Sequence, residues 1–138
     1  MKKLILTSLF MPLTAWAHGD DKLGPNQGYV QMPGAFHTEV VLDKDQSVHV
    51  YLLDMEFKNP TLKDSSVAVT YRNKKATVPF NCLPMGGDHY HCIPSQKIAT
   101  KKGELVVQAT REKAVGNEAI YKLPLKLTGK SNSGGHHH

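Results

Sequence analysis

At 138 residues, with 17 Lys or Arg against 12 Asp or Glu, the chain has the length of one domain and a weakly basic formal charge of +5. The positive residues are scattered, without the dense block or basic–aromatic stripe of a nucleic-acid binder, so that class of partner is set aside. No apolar run reaches the ~20 residues that a helical membrane span requires.

The N-terminus reads as an export signal over residues 1–17. Lys2 and Lys3 form a positive start, Leu4 to Leu13 a short apolar run, and Ala15-Trp16-Ala17 a small-residue cleavage site. Cleavage there makes His18 the first residue, lowers the formal charge from +5 to +3 and places the protein outside the cytoplasm, in the periplasm. In that compartment Cys82 and Cys92 are expected to pair, closing a C-x9-C loop worth about 3 kcal/mol in the chain-entropy model; the rival reading is a thiolate metal site.

Residues 18–28 are polar and rich in Gly and Pro, which predicts an irregular arm at the start of a domain running from 18 to 127. Alternation of apolar and polar residues then predicts a hairpin from Phe36–Leu42 and Val48–Leu53 around the turn Asp43–Gln46. Further strands are expected at Val67–Tyr71, Ala76–Phe80, His89–Ile93, Glu104–Thr110 and Ala119–Leu127. The prolines Pro60, Pro79, Pro84, Pro94 and Pro124 fall at breaks or edges, where a missing N–H does least harm. About seven short strands with frequent turns and no helical periodicity predict an all-β protein, an immunoglobulin-like β-sandwich. Residues 128–138 read as a flexible tail ending in His136, His137 and His138, either a natural metal-gathering tail or an artificial addition.

Three sets of residues could hold a metal ion. As a new N-terminus, His18 would offer an α-amine and an imidazole from one residue, a donor pair suited to Cu(II), with Asp20 and Asp21 nearby. Between the cysteines, His89 and His91 stand two apart and so share a strand face. Met85 adds a thioether for Cu(I), and Gly86-Gly87 permits a turn that brings it back over the histidines. The bland alternative is a disulfide-pinned hairpin with two solvated histidines. The third set is His37, Glu39 and His49 on the first hairpin, with Glu39 either a ligand itself or the group that orients a ligating imidazole. Its alternative is simply the polar outer face of a half-buried sheet. No Gly-x-Ser-x-Gly elbow, His-Glu-x-x-His helix or phosphate loop is present, so nothing marks a hydrolase or nucleotide enzyme.

A signal ending in Ala15-Trp16-Ala17 followed by His18 resembles the periplasmic copper-resistance carriers of the copper-resistance protein C type. Gly24-Pro25-Asn26-Gln27-Gly28, His37-Thr38-Glu39-Val40 and Val50-Tyr51-Leu52-Leu53-Asp54 are similar to segments of small periplasmic proteins found with heavy-metal efflux systems, with Asn26 where a histidine is common. The resemblance implies an immunoglobulin-like β-barrel that binds copper, with His18 as a ligand and His37, Glu39 and Asp54 at family-like positions. The expectation is a periplasmic metal-binding protein, copper first and zinc second, that buffers the ion or hands it to an efflux or envelope protein without turnover. The rivals are a metal-free interaction module using an exposed strand edge, and a copper oxidase or oxygenase built on an N-terminal histidine brace.

Overall fold

In a computed structural model describing residues 22–127, the chain is all-β, and no helix occurs among the described residues. Among the described residues nine strands are formed: β1 (Tyr29–Gln31), β2 (His37–Leu42), β3 (Val48–Leu53), β4 (Ser66–Arg72), β5 (Thr77–Met85), β6 (His89–Pro94), β7 (Glu104–Arg111), β8 (Ala114–Val115) and β9 (Ala119–Lys122). They pair antiparallel in the order β1-β2-β3-β6-β5-β4-β7-β8, with β9 also on β7. This exceeds the expected seven by β1 and β8, both too short to show a period in the sequence.

β5 joins the two halves of the sheet. Its start, Thr77–Pro79, pairs with β4, and Phe80–Met85 pairs with β6. The transition falls at Pro79, which has no N–H for a continuous ladder, and the Pro79 carbonyl accepts instead from Ser95 N. On the remaining side the ends of the sheet meet. Gln31 Nε2 donates to the Ile120 carbonyl, and Asn117 N donates to Pro33 O at 2.9 Å, so the sheet nearly closes into a barrel.

Alternation fills the interior. Val40, Val48, Val50, Leu52, Tyr90 and Cys92 from one half meet Val69, Tyr71, Leu105, Val107 and Tyr121 from the other. Burying each such side chain contributes roughly 1.5–3 kcal/mol. A buried hydroxyl pair, Thr38 with Tyr121, links the two halves across this core. Thr38 Oγ1 donates to the Tyr121 hydroxyl at 2.6 Å, and that hydroxyl donates to Thr38 O at 3.0 Å. Among the described residues, no buried side-chain N or O atom lacks a hydrogen-bond partner.

Cys82 and Cys92 are disulfide-bonded across the β5–β6 ladder, with Cα atoms 3.9 Å apart. So short a separation marks a pair without mutual backbone hydrogen bonds, and alternation then makes Pro84–Tyr90 another such pair. Pro84 therefore costs the ladder no bond and withholds a donor from the open edge of β5. The bond closes a sequence separation of 10 residues, and its removal by Cys82→Ser with Cys92→Ser is expected to lower stability by about 3 kcal/mol in denaturant unfolding.

Candidate metal centre

Side chains out of phase with the core positions Val48, Val50, Tyr90 and Cys92 lie on the other face of the sheet: His49, Tyr51, His89 and His91. The β3–β6 ladder puts His49 directly opposite His91, and the β5–β6 ladder puts Leu83 opposite His91 and Met85 opposite His89. Three imidazoles, a phenol and a thioether thus gather on one face of three adjacent strands.

The contacts are specific. His49 Nδ1 lies 3.0 Å from His89 Nε2. The other nitrogen of each ring meets a carboxylate: His49 Nε2 is 2.9 Å from Asp43 Oδ2, and His89 Nδ1 is 2.7 Å from Asp88 Oδ1. Tyr51 stacks on His89 with ring centroids 4.4 Å apart, and His91 stacks on His49 at 4.7 Å. His89 is only 8% exposed, whereas Met85 is 41% exposed at the rim.

Local sequence explains the placement. Asp43 opens the β2–β3 turn, where Asp43 N donates to Ser47 O and Gln46 N donates to Asp43 O. Asp88 closes the β5–β6 turn after Gly86 and Gly87, whose φ values of 66° and 74° suit glycine and strain any L side chain. Each turn thereby delivers a carboxylate to the histidine that follows it.

The tautomers follow from these partners. An ionised carboxylate only accepts, so His49 Nε2–H donates to Asp43 and His89 Nδ1–H donates to Asp88. Both remaining ring nitrogens, His49 Nδ1 and His89 Nε2, then carry lone pairs, and these are the atoms 3.0 Å apart. Two lone pairs do not hydrogen-bond; they require a cation between them, either a proton or a metal ion. Nitrogen ligands bind zinc at ~2.0–2.1 Å, so two neighbouring ligands of a tetrahedral or square site lie roughly 2.9–3.4 Å apart. A carboxylate on the distal nitrogen of each ligating imidazole is the usual supporting shell. The donor set therefore fits an ion held by His49 and His89. Among the described residues no group of three or more His, Cys, Asp or Glu is arranged as a complete site. Further ligands would have to come from His91, Met85, water or another segment.

Charge favours a cation here. The Tyr51 phenol is pushed above its ordinary range by burial first, then by Asp88, Glu39 and Asp43, so three carboxylates act on this face. Asp45, in the same turn as Asp43, is held below the usual carboxylate value by its bonds from the Ser47 hydroxyl and amide, with a smaller contribution from His91.

The first-hairpin set does not come together as one site. His37 pairs with Leu53 and His49 faces Val41, so they stand near opposite ends of the β2–β3 ladder. His37 is 5% exposed, stacks on Phe57 at 4.0 Å and lies 3.1 Å from the Asp54 carbonyl through Nδ1. Glu39 is fully buried and accepts from Asn26 N at 2.7 Å, Gly28 N at 2.8 Å and Asn26 Nδ2 at 2.9 Å. Its carboxylate is the post on which the Gly24–Gly28 loop closes. A Cβ on Gly28 would lie 2.6 Å from the Val40 carbonyl, and one on Gly24 would lie 2.7 Å from the Glu39 carboxyl carbon. Asp54 organises its own turn, accepting from Glu56 N, Lys58 N and Asn59 Nδ2. The export signal, His18, Asp20, Asp21 and the three terminal histidines lie outside the described residues.

Asp54 sits below its ordinary value of 3.8, chiefly through the Lys58 amide, as Asp45 does through Ser47. Lowered folded-state values mean that the stability from these turns is present above 3.8 and is lost as pH falls through the lower folded values. Melting temperature measured down the acid range should fall less steeply in Asp54→Asn, which has already given up the bonds that ionisation supplies.

The two-residue period pairs His89 with His91 and places Asp43 in a turn, but it gives Asp43, Asp88 and Tyr51 no role at the site. The one signal available was the placement of Asp88 immediately before His89 and of Asp43 at the start of the turn leading to His49. Comparison with protein-family models, with curated proteins and with solved structures gives no match for this chain.

Proposed function

We propose that the protein is a periplasmic metal-binding protein that holds one transition-metal ion, copper first and zinc second, at His49 and His89, and delivers it by ligand exchange without turnover. The observation carrying this reading is the 3.0 Å approach of His49 Nδ1 to His89 Nε2, with the other nitrogen of each ring held by its own carboxylate. Imidazole nitrogen suits Cu(II) and Zn(II), and Met85 beside His89 supplies a soft donor for Cu(I). His91 is the nearest additional imidazole, and His18, if exposed by signal cleavage, is a further candidate. Partial exposure at the rim suits a site that must release its cargo to an efflux or envelope protein. An immunoglobulin-like sandwich remains our reading of the fold, supported by two antiparallel halves around a single core. The disulfide here joins neighbouring strands, unlike the bridge between sheets in antibody domains.

The test is calorimetric titration of Cu(II) and Zn(II) into the chain with His136→Ala, His137→Ala and His138→Ala. One tight equivalent that is lost in the His49→Ala/His89→Ala double variant supports the reading; unchanged affinity in that variant sinks it.

A second reading has its own observation. Leu83, Met85 and Ile93 are 55%, 41% and 48% exposed, and the first two lie on the open edge of β5. That edge is the surface a metal-free interaction module would use.

A further inference from the structure

At the other end of β5 from the Gly86–Gly87 turn, a cleft of about 590 Å³ opens between the β4–β5 turn, the segment leading into β7, and the end of β9. Five cationic side chains line it, Arg72, Lys74, Lys75, Lys102 and Lys122, against the single carboxylate of Glu104. The register explains the convergence. Arg72 is directly opposite Glu104, and Glu104 is directly opposite Lys122, so one row crosses three strands. Glu104 Oε2 accepts from Arg72 Nε at 2.6 Å, which fixes the guanidinium while using one of its five N–H donors.

The two lysine-bearing loops are held in place from below by one hydroxyl. Tyr71 is 2% exposed; its OH donates to the Lys102 carbonyl at 3.1 Å and accepts from Asn73 Nδ2 at 2.9 Å. Asn73 Oδ1 in turn accepts from Lys75 N at 2.7 Å and Ala76 N at 2.8 Å, fixing the turn that carries Lys74 and Lys75. Gly103 follows Lys102 with φ of 86°, and a Cβ there would stand 2.7 Å from the Tyr71 hydroxyl. The backbone beneath the cations is therefore set before any ligand arrives, which reduces the entropy cost of binding.

Like charges crowded in a cleft repel one another, and the arrangement is relieved by a polyanion; low-dielectric walls also focus the positive potential. Arg offers a planar fork for phosphate oxygens and Lys offers point charges. The cleft volume falls within the range of small-molecule sites. We propose that this cleft binds a ligand bearing more than one phosphate group, whether free in solution or presented by lipid headgroups. The site is independent of the metal centre and does not rest on it.

The experiment uses the whole chain with tripolyphosphate and, separately, vesicles of phosphatidylglycerol or phosphatidylcholine. Backbone NMR shifts are followed at Asn73 and Gly103, and affinity is measured at two salt concentrations. Saturable binding of tripolyphosphate, or co-sedimentation with the anionic vesicles alone, identifies the soluble or the lipid source, and both support the proposal. Lys74→Ala with Lys102→Ala should weaken binding about tenfold or more, since each phosphate contact removed also reduces the salt dependence. The control pair Lys58→Ala with Lys63→Ala removes the same charge elsewhere and should leave affinity unchanged. Equal weakening by both pairs, or no binding to either probe, would overturn the proposal. Both pairs are exposed, and an unchanged melting temperature verifies that they fold.

Discussion

His89→Ala is expected to lower Cu(II) and Zn(II) affinity by at least about 100-fold, a loss that matches or exceeds what removing an outer-shell partner costs. The substitution removes a ligand nitrogen and the ring stacked on Tyr51, and it leaves His49 Nδ1 without its opposite lone pair. Asp88→Asn tests the same geometry more gently. An amide can present its NH₂ to His89 Nδ1 and so permit the other tautomer, which puts the proton on Nε2, facing His49. Affinity should fall about tenfold in that variant with the fold intact. Asp43→Asn should act in the same way through His49. If Asp88→Asn and Asp43→Asn bind as tightly as the parent while His91→Ala does not, the ion is held by a different pair. Stability separates binding from folding: Asp43 and Asp88 are exposed residues of surface turns, so chemical denaturation midpoints of the Asn variants should remain close to the parent.

Glu39→Ala should have the largest effect on stability of any exchange outside the apolar core. Three donors, Asn26 N, Asn26 Nδ2 and Gly28 N, converge on this fully buried carboxylate. Each buried donor left without a partner costs about 1–3 kcal/mol, so a total loss of roughly 3–5 kcal/mol is expected in urea unfolding. Glu39→Gln keeps the shape but replaces one acceptor by a donor facing donors, and it should recover only part of the loss. Metal affinity measured on the folded fraction should change little, because Glu39 acts on the Gly24–Gly28 loop and reaches the histidines only through its charge. A large, selective loss of metal binding in Glu39→Gln, without loss of stability, would return Glu39 to the ligand set.

Local patterns were the legible part of this fold. The first hairpin follows from alternation and the polar turn between Leu42 and Val48, which the ladder pairs directly. Same-face placement of His89 and His91 follows from the two-residue period, and pairing of Cys82 with Cys92 follows from an even cysteine count. β5 ran further than its alternation suggested because both of its prolines occupy positions where the missing N–H is harmless. β9 stopped sooner, at Lys122, before Pro124.

What the sequence could not disclose was non-local. β3 pairs with β6 across an intervening hairpin, and only that pairing brings His49 to His89, 40 residues away. Without it the period groups His49 with His37 and Glu39, its neighbours in the chain. Glu39 likewise looked like an outer-face carboxylate by period, and it is buried because the Gly24–Gly28 loop folds over it. His37 is covered in the same way by Phe57. In both cases a loop converted a solvent-side position into an interior one, and periodicity carries no information about what a loop later covers.

Sharing of one ion by His49 Nδ1 and His89 Nε2 is tested by long-range ¹H–¹⁵N NMR of the imidazoles during titration with one equivalent of Zn(II). These two nitrogens should shift to metal-bound positions while His49 Nε2 and His89 Nδ1 retain their protons, donated to Asp43 and Asp88. Unmoved resonances from both rings, with zinc taken up only by His18 or the terminal histidines, would contradict it.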